Sequence, residues 1–403
     1  MISLGQLPEG TLGVAVSGGG DSVALLVLLH RSGRKIKAAT VDHRLRPESA
    51  SEAEGVAGLC AELYIPHSTL VWDHADRAGN LQNAARDARR NLLSGWARAE
   101  GLGHIVLGHT LDDQAETVLM RMARGSGVDG LAGMAAERCE NDLCWHRPLL
   151  AVRRAELRTY LREAGIGWVD DPSNEDTQYD RIKARQALEH LAPLGLTAEK
   201  LTETAAHMRR ARAALEEATL ALARSCARVS AAGELCLASE IFAKAPEELQ
   251  LRLLAASLRW VASADYRPRF AALESLLDTC LSGENFGQTL HGCMISWRKN
   301  EIVINREPSA TPKAAQVLTR WDGRWEIDSK GLENLQIRAL GEDGVQCCPD
   351  WRDSGHSRRA LLASPSFWRE GRLIAAPLAQ FGQIRGVKLA GGEKGFYDAL
   401  IAH

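Results

Sequence analysis

Six residues near the start of the chain, Ser17-Gly18-Gly19-Gly20-Asp21-Ser22, combine types that can hold an anion. Consecutive glycines let backbone N–H groups come close to phosphate oxygens, and a helix that follows them adds its positive end. Ser17 and Ser22 supply hydroxyl donors. No lysine stands in a G-K-[ST] arrangement, so this is not a Walker A loop. A flexible turn in which Asp21 or Ser22 merely caps a helix is the plain structural explanation. Position argues against it: the apolar run VAV enters the loop and VALLVLL leaves it, which is where an open parallel sheet presents a strand end to ligand.

A second cluster, His109-Thr110-Leu111-Asp112-Asp113-Gln114-Ala115-Glu116, follows the apolar run HIVLG. On a helix Asp112 and Asp113 lie four and three residues before Glu116, while Ala115, Val118, Leu119 and Met122 form the buried stripe. Thr110 and Asp113 have the spacing of a capping box, and early acids suit the helix dipole. Capping accounts for one acid. Three acids beside an imidazole suit Mg²⁺ and a positively charged amine, which makes Asp21, His109, Asp112, Asp113 and Glu116 the candidate catalytic residues. Basic residues gather in two further places: Arg154, Arg158 and Arg162 at helical spacing, and Arg86, Arg89 and Arg90. Either set could meet phosphates or form an ordinary solvated face.

The elements that must position these residues follow one rhythm. Strand-like TLGVAVSGG, KIKAATVDH, PHSTLVWD and HIVLGH alternate with helix-like DSVALLVLLHRSG, Pro47 to Leu63, Leu81 to Arg98 and Leu111 to Ala123. That alternation predicts an α/β fold with a doubly wound parallel sheet. A helical segment from Val152, the turn VDDPSN and a helix ending near Leu194 complete a catalytic domain over 1–195. Residues 197–282 read as helical and the strand pair HGCMISWRKNEIVINRE closes that part, giving a helical domain over 196–307. The stretch EPSATPKAA reads as a linker, and WDGRWEI, LQIRAL and GRLIAAPLAQF as strands of a small mixed α+β domain over 316–403.

With 403 residues, 45% hydrophobic and 25% charged, the chain is expected to form two or three globular domains. No apolar run approaches the roughly 20 residues of a membrane span, and MISLGQLPEG has no signal-peptide pattern, so the cytoplasm is expected. A net charge of -2 excludes a globally basic surface. The nine cysteines have no CxxC pair and no zinc spacing, with Cys139 and Cys144 five apart, so reduced structural thiols are expected.

SGGGDS resembles the SGGxDS loop of the N-type ATP pyrophosphatases, the PP-loop superfamily, which split ATP between its α and β phosphates. LGHTLDDQAETVLMRMARGSGVDGLAGM, VDHRLRPES, NLQNAARDARRNLL, HRPLL and GIGWVDDPSNEDTQYDR are similar, in order, to segments of the tRNA(Ile)-lysidine synthases, strongly over about residues 11 to 195. YRPR, TLHGCMI and RALGEDG extend the likeness more weakly. The chain departs from that pattern at Gln82, Arg90, Thr110 and Ile182.

The resemblance implies a ligase that joins lysine to C2 of the wobble cytidine in the isoleucine tRNA with a CAU anticodon, through an adenylated cytidine, releasing AMP and pyrophosphate. It implies ATP held by Ser17, Gly18, Gly19, Gly20, Asp21 and Ser22, Mg²⁺ on Asp21 and Asp112, and L-lysine on Asp113 and Glu116. Arg86, Arg89, Arg154, Arg158, Arg181 and Arg185 become the basic residues of the active site and tRNA, with a homodimer as candidate assembly and no membrane partner. A thiolase of the same superfamily and an ATP-holding binding module are the alternatives; the first lacks its paired CxxC cysteines here.

Overall fold

The computed structural model describes residues 2–44, 49–73, 81–140, 142–169, 180–282 and 286–401. Leu12–Ala15 form β1, buried on both faces as a continuous apolar run requires. After it come α1 (Gly20–Arg31), β2 (Ile36–Asp42), α2 (Ser49–Glu62), β3 (His67–Val71), α3 (Leu81–Ala99), β4 (His104–Leu107) and α4 (Leu111–Ala123). A short α5 (Val128–Leu131) precedes β5 (Glu137–Glu140) and β6 (Leu143–His146).

The six strands lie in the order β3-β2-β1-β4-β6-β5. All pairs are parallel except β5 with β6. Strand order therefore turns around at β1 and β4, and ligands of such sheets bind where it does. Val14, Leu25, Leu29, Val56, Leu157 and Leu161 belong to one core of the sheet, and Ala15, Ala39, Leu93, Trp96, Ile105 and Trp145 to another. The expected doubly wound α/β architecture is present.

Two expectations need correction. The hairpin β5–β6 does not read as strand in sequence, because Glu137–Glu140 is charged and exposed and Leu143–His146 is only four residues long. Its register sets Cys139 directly opposite Cys144, and the two form a disulfide rather than the expected pair of reduced thiols. Seven cysteines are free, and all but Cys347 are buried. The VDDPSN turn falls outside the described residues except for Val169, as does Pro47 at the expected start of α2.

Beyond the sheet come α6 (Arg154–Glu163), α7 (Asp180–Leu191) and α8 (Ala198–Cys226). The chain divides into two compact units, one ending at Arg212 and the other beginning at Ala213. In the second unit β7 (Ala227–Val229), β8 (Leu235–Ala238), α9 (Ser239–Ala243), α10 (Glu247–Ala262) and α11 (Phe270–Leu281) lead to β9 (Gly287–Leu290), β10 (Cys293–Arg298) and β11 (Glu301–Arg306). The expected strand pair is β10–β11, within an antiparallel sheet ordered β7-β8-β11-β10-β9.

Short strands β12 (Ala315–Gln316), β13 (Arg320–Trp321), β14 (Trp325–Ile327) and β15 (Gln336–Ala339) precede α12 (Gly341–Gln346) and α13 (Arg358–Leu362). Then come β16 (Pro365–Arg369), β17 (Arg372–Ala375), β18 (Val387–Leu389) and α14 (Gly392–Ile401), the strands forming sheets ordered β12-β15-β16-β17 and β13-β14-β18. Phe396 of α14 is fully buried in the same core as Leu251, Leu254 and Leu277, edge-on to Trp260.

Candidate active site

The loop after β1 is tied by its own serines. Ser22 Oγ donates to the Gly19 carbonyl at 2.9 Å and lies 3.1 Å from the Ser17 N–H, which it accepts. Gly18 adopts φ +86°, and its carbonyl accepts the Val169 N–H at 3.0 Å. Trp168 stands beside Gly20, where a Cβ would come within 3.3 Å of the indole. From β4, Gly108 approaches so closely that a Cβ there would lie 3.0 Å from the Asp21 carbonyl oxygen. The Ser22 and Val23 N–H groups already donate to the Gly19 carbonyl, each at 3.0 Å, which leaves the Gly20 and Asp21 N–H groups at the start of α1 as the donors presented to whatever binds the loop.

Across from the loop, α4 begins at Thr110. The capping box forms: Asp113 donates its N–H to Thr110 Oγ1 at 3.3 Å, and Thr110 N–H reaches Asp113 Oδ2 at 2.8 Å. The Asp113 carboxylate also does more than cap, because its other oxygen accepts Arg154 Nη2 at 2.9 Å. Arg154 further donates Nε to Asp21 Oδ2 at 2.9 Å and Nη1 to Glu116 Oε1 at 3.4 Å. Arg185, carried by α7, donates Nε to that same Glu116 oxygen at 2.9 Å. One guanidinium thus joins three of the candidate acids.

Asp112 faces a different task. Its Oδ2 accepts the Arg154 backbone N–H at 2.7 Å and its Oδ1 lies 3.0 Å from Arg153 Nη1, so both oxygens serve the start of α6. The acids that share a cation with Asp21 are Asp113 and Glu116. Among the described residues, Asp21 Oδ1, Glu116 Oε2 and His109 Nδ1 in this cluster are buried without a hydrogen-bond partner, as is Trp168 Nε1 beside the loop. Buried polar atoms are rarely left unsatisfied, so such a group calls for an ordered water, an ion or a ligand.

Burial raises the Asp21 pKa, an effect that Arg154 only partly offsets. Burial works in the same direction at Asp113, but Arg154 and the Thr110 N–H outweigh it and hold that carboxyl below its ordinary value. His109 is pushed down to about 3 by burial, helped by Arg147, Arg181 and Arg89 and opposed by Asp113. The imidazole is therefore neutral. Burial disfavours the charged form of Arg154, yet Asp113, Asp21 and Glu116 raise its pKa overall.

The predicted stripe on α6 turns toward this site. Leu157 and Leu161 anchor the helix in a core of the sheet. Arg154 is inside the acid cluster, Arg158 is close enough to Asp21 to lower its pKa, and Arg162 lies over the Trp168 ring at 5.9 Å. A second set is defined by mutual repulsion: burial, then Arg181 and Arg86, lower the Arg89 pKa. Arg147 is lowered to about 10 by burial and by Arg138, Arg86 and Arg90.

Arg153 and Trp168 are site neighbours that the sequence pattern did not single out. Their only signal is adjacency, to Arg154 and to the GIGWV run. Two departures from the family pattern are accommodated: Thr110 caps α4, and Ile182 is buried. The Gln82 side chain lies outside the described residues.

Residues 3–191 match the PP-loop domain family. The tRNA(Ile)-lysidine synthase of Ruegeria pomeroyi is 46% identical, covering 98% of this chain and 95% of that protein. The synthase of Wolbachia pipientis wMel is 33% identical over 90% of this chain and 88% of its own length. Among solved structures, a U34-tRNA thiolase from Methanococcus maripaludis aligns at TM-score 0.45 and 17% identity over 51% of this chain and 75% of that one. A glycine loop at the turnaround of a parallel sheet, faced by an acid-lined helix start, agrees with the PP-loop match and the two synthases, and the chain belongs to the tRNA(Ile)-lysidine synthase family.

Proposed function

We propose that this chain is an ATP-dependent ligase that attaches lysine to C2 of the wobble cytidine of tRNA(Ile) with a CAU anticodon, acting in the cytoplasm. The observation that carries the assignment of roles is the group of unpartnered buried atoms, Asp21 Oδ1, Glu116 Oε2 and His109 Nδ1, beside the glycine loop. Each can serve a different ligand.

The loop from Ser17 to Ser22 would hold the leaving pyrophosphate through N–H and hydroxyl donors, with Arg158 nearby to meet negative charge. In the first step the cytidine O2 attacks the α phosphorus and pyrophosphate departs. In the second the lysine ε-amine attacks C2, the C–N bond forms and AMP leaves with O2. The free oxygen of Asp21 fits Mg²⁺, with Asp112 in reach only if it releases the start of α6; bound there, Mg²⁺ would neutralise phosphate charge. The free oxygen of Glu116 and the Asp113 carboxylate would orient the ammonium, in the place now shared with Arg154.

The amine attacks only through a free lone pair, so an ammonium with pKa about 10.4 must lose one proton before the C–N bond forms, to a carboxylate of the cluster or to solvent; burial pushes His109 down to about 3, which makes it the poorer acceptor for that proton. Once the nitrogen is bonded to C2 its basicity collapses, and its second proton can pass to a carboxylate or be relayed by His109 as AMP leaves. Arg86, Arg89 and Arg181 would meet the RNA backbone. Arg185 would hold Glu116 in place.

The test is mass spectrometry of nucleosides from bacterial tRNA incubated with the protein, ATP, Mg²⁺ and lysine. Cytidine should gain the mass of lysine less water, only when lysine is present. AMP and pyrophosphate without that adduct would redirect the search to another nucleophile, whereas untouched ATP would favour a binding module.

A further inference from the structure

The hairpin β5–β6 sets four metal-binding side chains on one face. Its register pairs Cys139 with Cys144 and Glu137 with His146, and alternation along each strand puts all four on the same side. Leu143 and Trp145 point the other way, into a core of the sheet. Ligand atoms of Glu137, Cys139 and Cys144 lie within 4.8 Å of one another. His146 Nδ1 is 3.9 Å from Glu137 Oε2, and its Nε2 is 3.1 Å from Nδ1 of His104 on β4. A partner on the far nitrogen is the arrangement that fixes a ligating imidazole. If His146 donates that bond, its Nδ1 lone pair faces the Glu137 carboxylate, and a bound cation would join the two.

We propose that Cys139, Cys144, Glu137 and His146 form a zinc site when the two cysteines are reduced. Two thiolates, an imidazole and a carboxylate are ligands that Zn²⁺ accepts in tetrahedral geometry. An enzyme that works on tRNA operates where thiols are kept reduced, and there a cysteine pair is more often a metal site than a lasting disulfide. The conversion balances with a dithiol reductant. It passes two electrons and two protons to the Cys139–Cys144 bond and becomes a disulfide itself, and Zn²⁺ then displaces both thiol protons to solvent. The hairpin is thus fixed in either state, by sulfur–sulfur bonding or by metal.

The full-length chain, reduced with a dithiol and desalted anaerobically, should be titrated with Co²⁺ as an optical probe and then with Zn²⁺. The expected result is one Co²⁺ per chain with a thiolate-to-cobalt charge-transfer band, lost on adding Zn²⁺ and absent from the oxidised chain. Cys139→Ser with Cys144→Ser should abolish the band. Glu137→Gln, at a side chain 60% exposed and so safe for folding, should weaken affinity by about tenfold or more. No band in the reduced wild-type chain would overturn the proposal. So would a band that survives the double serine variant, or an affinity unmoved by Glu137→Gln.

Discussion

A guanidinium held by three carboxylates is stable only as a set. Arg154 is mostly buried, and so are Asp113 and Glu116, which means that water cannot replace it if it is removed. Breaking a buried charge set from one side costs about 3–5 kcal/mol. Arg154→Gln should lower the unfolding free energy by roughly that amount, and Mg²⁺ should restore part of it by settling on Asp21 in the vacated place; urea unfolding with and without Mg²⁺ would reveal both, and a variant indifferent to Mg²⁺ would remove Asp21 from a metal-binding role. His109 gives a prediction in pH. The unfolded chain takes up a proton near 6.5 that the folded protein refuses until about 3, so the stability this residue contributes is complete above 6.5 and lost as pH falls through that window. Between pH 6.5 and 5 the loss is about 2 kcal/mol. His109→Gln should shrink the stability difference between pH 7 and pH 5 by roughly that much, and an unchanged difference would mean that the imidazole already charges freely. The acids were legible in sequence because DDQAE places them within one helical turn. The inward turn of Arg154 was not, since its partners lie 133, 41 and 38 residues away and helical spacing alone does not say which face meets a ligand.

At the scale of elements, two strand ends and two helix starts hold the site, and their close approach depends on backbone without side chains. Gly108, the residue after β4, lies against the loop, with only 3.0 Å between an added Cβ and the Asp21 carbonyl oxygen or the Ser22 Cα. The neighbour is backbone, so it cannot swing aside as a side chain could. Gly108→Ala should therefore push the loop away from the acids: stability should fall by about 1–3 kcal/mol, as for overpacking elsewhere, with a larger loss in pyrophosphate release than in overall fold. Normal pyrophosphate release by a folded Gly108→Ala protein would show that the loop has slack. Alternation of apolar and amphipathic runs made β1 through α4 readable, down to the bounds of α4. The hairpin β5–β6 escaped because its strands have four residues each, one of them charged and exposed, and its pairing comes from register with β4 rather than from local pattern.

At the scale of the molecule, the second unit is held by contacts between segments far apart in sequence, which is why composition described it only as helices followed by strands. Short β7 and β8 find partners through β11, and α14 returns at the end of the chain to bury Phe396 beside Trp260. The clearest of these links is Arg306, at the end of β11, with Asp322 in the turn between β13 and β14. Arg306 donates Nε and Nη2 to the two Asp322 oxygens, each at 2.9 Å, and further donates to the carbonyls of Gly292 and Ala310. The side chains are 9% and 4% exposed, so solvent hardly screens them, and the segment read as a linker is spanned by a bidentate clamp. Asp322→Ala leaves a buried guanidinium with carbonyl partners but no counter-charge, which should cost about 3–5 kcal/mol. Replacing both, Arg306→Met with Asp322→Leu, removes the stranded charge and should cost clearly less than the single change. Denaturant unfolding followed by tryptophan fluorescence would compare them, Trp321 and Trp325 lying beside the pair in sequence and both buried. If Asp322→Ala cost under about 1 kcal/mol, the pair would behave like an exposed ion pair, and the joining of β11 to the β13–β14 turn would have to rest on packing alone.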